Sequence, residues 1–166
     1  MVVVYKSNSG YSKAYAELLA DALDLNVYSI DELPDVHKGN DAIFFGWLFA
    51  GTVVGYKKAA KNLNIIAAVG VGMSPDTPEI VSEITDKCKI PTSTKVFYLQ
   101  GGFDINKLKG PNKLIMQVKV KEIIGRLEKA DTLSPAQEAT YKMCTEGYSC
   151  VSLENLKPLI DWYKAH

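Results

Sequence analysis

Short unbroken apolar runs alternate along the chain with stripes of helical spacing, a pattern that predicts strand and helix in turn from the first residue onward. Five segments read as strands: Val2–Tyr5, Asn26–Ile30, Ala42–Gly46, Ile65–Val69 and Val96–Leu99. Four of them are nearly continuous apolar runs, as suits strands buried on both faces of a parallel sheet, whereas Asn26-Val27-Tyr28-Ser29-Ile30 alternates and suits an edge. Placing that segment at the edge gives an α/β three-layer sandwich, a five-stranded parallel sheet of order 2-1-3-4-5 with helices on both faces. Helices are expected over Ser12–Leu23, about Val54–Lys61, Pro78–Lys87, Asn112–Lys129 and Leu153–Tyr163.

In the first of these helices, Tyr15, Leu18, Leu19, Ala22 and Leu23 form the apolar stripe, and Lys13, Glu17, Asp21 and Asp24 lie nearer solvent. Helix starts are legible elsewhere. Thr77-Pro78-Glu79 offers an N-cap followed by proline, Ser134-Pro135-Ala136-Gln137 has the form of a capping box, and Ser152 can cap the last helix, which Pro158 kinks or restarts.

A length of 166 residues without repeat or low-complexity linker implies one domain spanning 1–166. A hydrophobic share of 47% and a formal charge of +0 exclude a disordered chain and give no nucleic-acid footprint. No apolar run has the length of a membrane span or the pattern of a signal sequence, so the expectation is a cytoplasmic protein with no integral membrane segment. Arg126 is the only arginine, which leaves bound phosphate to backbone amides and hydroxyls. Cys88, Cys144 and Cys150 have no metal-ligand spacing, and His37 and His166 lie far from them, so no metal is expected. Cys144 and Cys150 could approach each other, but a reducing cytosol disfavours a disulfide.

The candidate chemistry lies in the turns after strands one, three and four, which such a strand order gathers at the carboxyl edge of the sheet. Ser7-Asn8-Ser9-Gly10-Tyr11-Ser12 joins strand to helix, where unpartnered N–H groups and serine hydroxyls can hold a phosphate monoester. The same turn can serve only as a helix cap. Gly46-Trp47-Leu48-Phe49-Ala50-Gly51-Thr52 is apolar and aromatic for a loop, so its rings either cover something flat or cap the core. Gly70-Val71-Gly72-Met73-Ser74 lets backbone approach a planar ligand, unless its glycines only supply positive φ. Gly101-Gly102-Phe103 lies farther from the first strand and ranks lower, and Met116 and Met143 read as core filler. No catalytic acid or base stands out.

The hydroxyl-rich turn resembles the phosphate loop of the flavodoxin-like FMN proteins, T/S-x-T/S-G-x-T/S, at every defined position. Asp41–Gly51, Val96–Leu108 and the Lys113–Ile124 helix look closest to the subfamily of menaquinone-dependent protoporphyrinogen oxidase and small flavodoxin-domain proteins. The resemblance implies FMN bound noncovalently, with phosphate contacts at Ser7, Asn8, Ser9, Gly10, Tyr11 and Ser12. It implies ring contacts at Trp47, Leu48, Phe49, Ala50, Gly51 and Thr52 and at Gly70, Val71, Gly72 and Met73. A carbonyl at Gly46 or Ala50-Gly51 is expected to accept a hydrogen bond from the reduced ring. Partners are then a redox protein or a small electron donor or acceptor, and the chain is an FMN-dependent oxidoreductase or a non-enzymatic carrier. The alternative is a flavodoxin-fold binding or scaffold module that does not use flavin.

Overall fold

The computed structural model describes residues 1–130 and 132–165; His166 lies outside them. The elements run β1 (Val2–Lys6), α1 (Tyr11–Leu23), β2 (Val27–Ser29), a 3₁₀ turn at Asp35–His37, β3 (Asp41–Phe49), β4 (Thr52–Val53), α2 (Tyr56–Asn62) and β5 (Asn64–Gly72). They continue through α3 (Pro78–Cys88), β6 (Lys95–Gln100), β7 (Gly102–Phe103), α4 (Pro111–Leu127), α5 (Pro135–Glu146), β8 (Tyr148–Ser149), a 3₁₀ turn at Glu154–Leu156 and α6 (Lys157–Lys164).

The parallel strands lie in the order β2-β1-β3-β5-β6, the expected arrangement, with the short β4 folded back antiparallel on β3. This is the flavodoxin-like order of a doubly wound sheet. Alternation along the strands sorts the core into two layers. Val2, Val4, Phe44 and Ala68 pack with Tyr56, Ala59, Ile84 and Cys88 of α2 and α3. Val3, Ile43, Phe45, Ala67, Val69 and Val71 pack with Tyr15, Ala16 and Leu19 of α1 and Leu159 of α6. The register shifts between Ala42 and Ile43, so that Ile43 pairs with Ala67 and Ile66 is the extra residue of a bulge.

Three expectations change. The buried stripe of α1 is Tyr11, Ser12, Tyr15, Ala16, Leu19 and Ala20, while Ala22 is exposed; the small Ala16 and Ala20 let the helix sit close on the sheet. Thr77 occupies the N-cap of α3, but its side chain makes no capping hydrogen bond. The helix over 111–127 does not form an outer layer of the sheet: α4 packs on α5, a helix whose capping box at Ser134 and Gln137 was legible although its span was not. Phe103, Val120 and Cys144 form the centre of this annexe. Pro158 restarts the last helix after the 3₁₀ turn, and Ser152 Oγ accepts from the Asn155 N–H at 3.3 Å. All three cysteines are free.

A buried tyrosine latches the last segment to the sheet. The Tyr15 hydroxyl is shared between the carbonyls of Gln100 and Cys150, at 2.8 and 2.9 Å, and accepts from Asn155 Nδ2 at 3.0 Å. Replacing Tyr15 with phenylalanine removes the hydroxyl from a fully buried site, and a urea unfolding series is expected to show a loss of about 1–3 kcal/mol at unchanged m-value.

Candidate functional site

The carboxyl ends of β1, β3, β5 and β6 open onto one cavity of about 470 Å³, a volume typical of cofactor sites. Of the residues expected there, Asn8, Ser9, Tyr11, Ser12, Trp47, Leu48, Phe49, Gly51, Val71, Gly72 and Met73 line it. Ser7, Gly10, Ala50, Thr52 and Gly70 do not line it, and each has a structural task.

The turn after β1 is held by its own groups. Ser7 Oγ accepts the Gly10 N–H at 3.0 Å, and Asn8 Oδ1 accepts the Lys109 N–H at 3.2 Å, tying the turn to the segment before α4. Gly10 adopts φ 95°, a left-handed conformation that glycine enters without penalty. Ala14 N–H is the first to close onto the helix, at 2.9 Å from the Gly10 carbonyl; the N–H groups of Tyr11, Ser12 and Lys13 precede it without intrahelical acceptors. At this opening Ser12 lines the cavity, and its buried hydroxyl has no hydrogen-bond partner, the one such side-chain atom among the described residues.

Tyr11 serves mainly as structure. Its Cβ lies against Gly101 and its ring against Gly102, and its hydroxyl donates to the Tyr148 carbonyl at 3.1 Å, with burial pushing its pKa up. Lys107 Nζ sits 5.4 Å from the ring centroid.

The apolar stretch after the third strand is not a loop. β3 runs on to Phe49 and turns back through Ala50-Gly51 into β4, pairing Phe49 with Thr52 and Leu48 with Val53. Both turn residues have positive φ, 49° and 78°, as a two-residue hairpin requires. Strand alternation therefore puts Trp47 and Phe49 on one face, their rings edge-on with centroids 5.7 Å apart. Trp47 is half-buried and Phe49 is 57% exposed, so Phe49 does not cap the core. The Ala50 carbonyl accepts from Lys87 Nζ at 3.1 Å, and Lys87 also pairs with Glu83. Gly46 pairs with Lys6 and Gly70 in the sheet, and a Cβ there would lie 2.5 Å from Val53. Of the carbonyls expected to meet a reduced ring, that of Ala50 is thus engaged by an ammonium.

Gly70 is a packing glycine, since a Cβ would approach Ile84 to 2.8 Å. Gly72 makes room for the Tyr98 ring. Tyr98 donates to the Ser74 carbonyl, and Tyr148 and Gln100 donate to that of Met73, fixing the lip of the cavity. Burial, with Tyr148 and Asp76 nearby, pushes the Tyr98 hydroxyl up to about 12.

The low-ranked Gly101-Gly102-Phe103 also lines the cavity, as does Met116. The opposite wall, Leu108, Ile115 and Lys119, comes from the annexe and carries no local sequence signal. Its inward residues depend on how α4 seats on α5. Paired glycines after a strand were the signal for the Gly101 turn. Lys6 is engaged by Asp31, whose carboxyl is held low first by its hydrogen bond to Lys6 and then by that to Lys58. Lys13 pairs with Glu17 at 3.5 Å, so neither lysine beside the turn is committed to the cavity. The arrangement can hold an anion through amides and hydroxyls and a flat apolar body beside Trp47.

Ser12→Ala deletes a buried hydroxyl that bonds to nothing, so the unliganded protein is expected to gain about 1 kcal/mol in chemical unfolding rather than lose stability. For Tyr98 the folded state keeps its proton where the unfolded chain loses it. Stability is therefore full below pH 10 and falls as pH rises from 10 toward about 12. Tyr11, Tyr15, Tyr56 and Tyr148 shift in the same direction. Denaturant midpoints measured across that range should decline less steeply in Tyr98→Phe.

No protein family and no curated protein matches the sequence. Among solved structures, a flavodoxin from the domain Archaea aligns at 15% identity over 69% of this chain and 88% of that chain, with a TM-score of 0.38. The fold assignment rests on strand order and the two-faced packing described above.

Proposed function

We propose that the cavity binds FMN, its phosphate at the opening of α1 and its ring system beside Trp47 and Phe49, and that the protein is a flavoprotein oxidoreductase or electron carrier. The observation that carries this reading is the Ser12 hydroxyl. A buried polar atom without a partner is costly, and a phosphoryl oxygen placed against it would also meet the free N–H groups of the first turn and the positive end of a 13-residue helix.

FMN bound there supplies one- and two-electron redox chemistry. The protein residues orient it and control its surroundings. Ser12 and the amides of Tyr11 and Lys13 take the phosphate, and Ser7, bonded to the Gly10 amide, holds the turn in its left-handed form. Trp47 desolvates one side of the site, and Phe49 leaves an exposed edge through which electrons can pass. Gly72 and the Met73 lip, fixed by Tyr98 and Tyr148, bring backbone close to the other side. Lys87 holds the Ala50 carbonyl of the hairpin, so a ring donor seeking that carbonyl must displace an ammonium. Electron transfer requires no acid or base from these residues.

The visible spectrum of the purified protein, followed by titration with FMN and riboflavin, tests this. Binding with quenched flavin fluorescence is expected. Ser12→Ala should weaken FMN about tenfold to a hundredfold, the worth of a hydrogen bond to a charged group, and leave riboflavin affinity unchanged. Trp47→Ala should restore fluorescence. A colourless protein indifferent to added FMN overturns the proposal.

A further inference from the structure

Eight large hydrophobic side chains are exposed among the described residues, and five of them, Phe49, Met73, Leu114, Ile115 and Val118, lie on α4 or at the rim of the cavity. Leu114, Ile115 and Val118 are 66%, 54% and 68% exposed. The opposite side of the same helix is spent on the annexe core, through Val120, Ile123 and Ile124. A helix apolar on both sides is ordinarily buried on both, and the outer side of α4 is bare.

Charge around this ridge indicates what covers it. Residues 105–127 carry Lys107, Lys109, Lys113, Lys119, Lys121 and Arg126 against one acidic residue, Glu122, in a chain whose formal charge is +0. Lys119 and Lys121 flank Val118, are exposed, and form no ion pair among the described residues. Protein interfaces are enriched in arginine and depleted in lysine. A lysine-rich helix with projecting aliphatic side chains instead matches an anionic lipid surface, where the alkyl stems lie along the acyl boundary and the ammonium groups reach the headgroups.

We propose that the outer face of α4 docks the protein peripherally on anionic membranes, with Leu114, Ile115 and Val118 entering the interface and Lys119 and Lys121 meeting lipid phosphates. No helix among the described residues is long and apolar enough to cross a membrane, and none is needed for this mode. Ile115 both lines the cavity and stands on the docking face, so docking brings the cavity mouth to the lipid surface. The proposal rests on α4 and not on the identity of the cavity ligand.

Sedimentation of the full chain with vesicles of phosphatidylcholine, alone or mixed with phosphatidylglycerol, tests it. Binding to the mixed vesicles, weakened by salt and absent on phosphatidylcholine alone, is expected. Lys119→Gln with Lys121→Gln should reduce the partition constant about thirtyfold, taking roughly fivefold per lysine. Leu114→Ser with Val118→Ser should reduce it about tenfold or more. All four side chains are solvent-facing, and unchanged circular dichroism of each variant confirms that folding is intact. Absence of sedimentation with phosphatidylglycerol at low salt, or binding that ignores both variant pairs, overturns the proposal. Binding to polyglutamate with the same residue dependence but no vesicle binding assigns the face to an acidic protein partner and equally overturns it.

Discussion

A parallel sheet covered on both faces has no room for polar chemistry except at the ends of its strands. In this chain the middle of the sheet is sealed by Val3, Ile43, Phe45 and Val69 on one side and Val4, Phe44 and Ala68 on the other, all fully buried. Every strand of the main order points the same way, so the carboxyl ends share one edge, and the turn that opens α1 is the place where free amides accumulate. The cavity, its hydroxyl and its aromatic wall follow from that geometry.

Backbone conformation then shapes the edge. Gly10 turns the chain into α1 in a left-handed conformation, and the Ala50-Gly51 hairpin reverses β3 within two residues. The hairpin converts an apparently apolar loop into a strand extension, which is why Trp47 and Phe49 stand on one face. Gly70 and Gly72 serve packing and the seating of Tyr98, respectively. The two tyrosines that hold the Met73-Ser74 lip do so through carbonyls, an arrangement that keeps side-chain hydroxyls engaged while leaving the cavity side apolar.

The annexe of α4 and α5 gives the molecule its asymmetry. Its small core around Phe103, Val120 and Cys144 is built against β7 and β8 rather than as an outer layer of the sheet, so α4 has one side to spend on packing and another left in solvent. The lysines concentrated there explain how a chain of balanced charge can still present a basic face. The cavity lies between the sheet edge and this annexe and takes side chains from both.

Local pattern determined a great deal. Apolar runs identified four of the five parallel strands, the single alternating segment marked the edge, and Ser134 with Gln137 announced a helix start, because burial on two faces and capping leave signatures within a few residues. The serine-rich turn and the glycines after later strands pointed to the sheet edge on which the cavity opens. Tertiary structure alone decided which of those residues reach the cavity. Ser7, Gly10, Ala50, Thr52 and Gly70 are used up in turns, pairing and helix contact, whereas Ile115 and Lys119 enter from a helix whose orientation depends on its partner, and Leu108 from the segment that leads into it. The physical reason is range: a strand or cap is specified by neighbours in sequence, but the wall of a cavity is specified by side chains that approach only after the layers have packed.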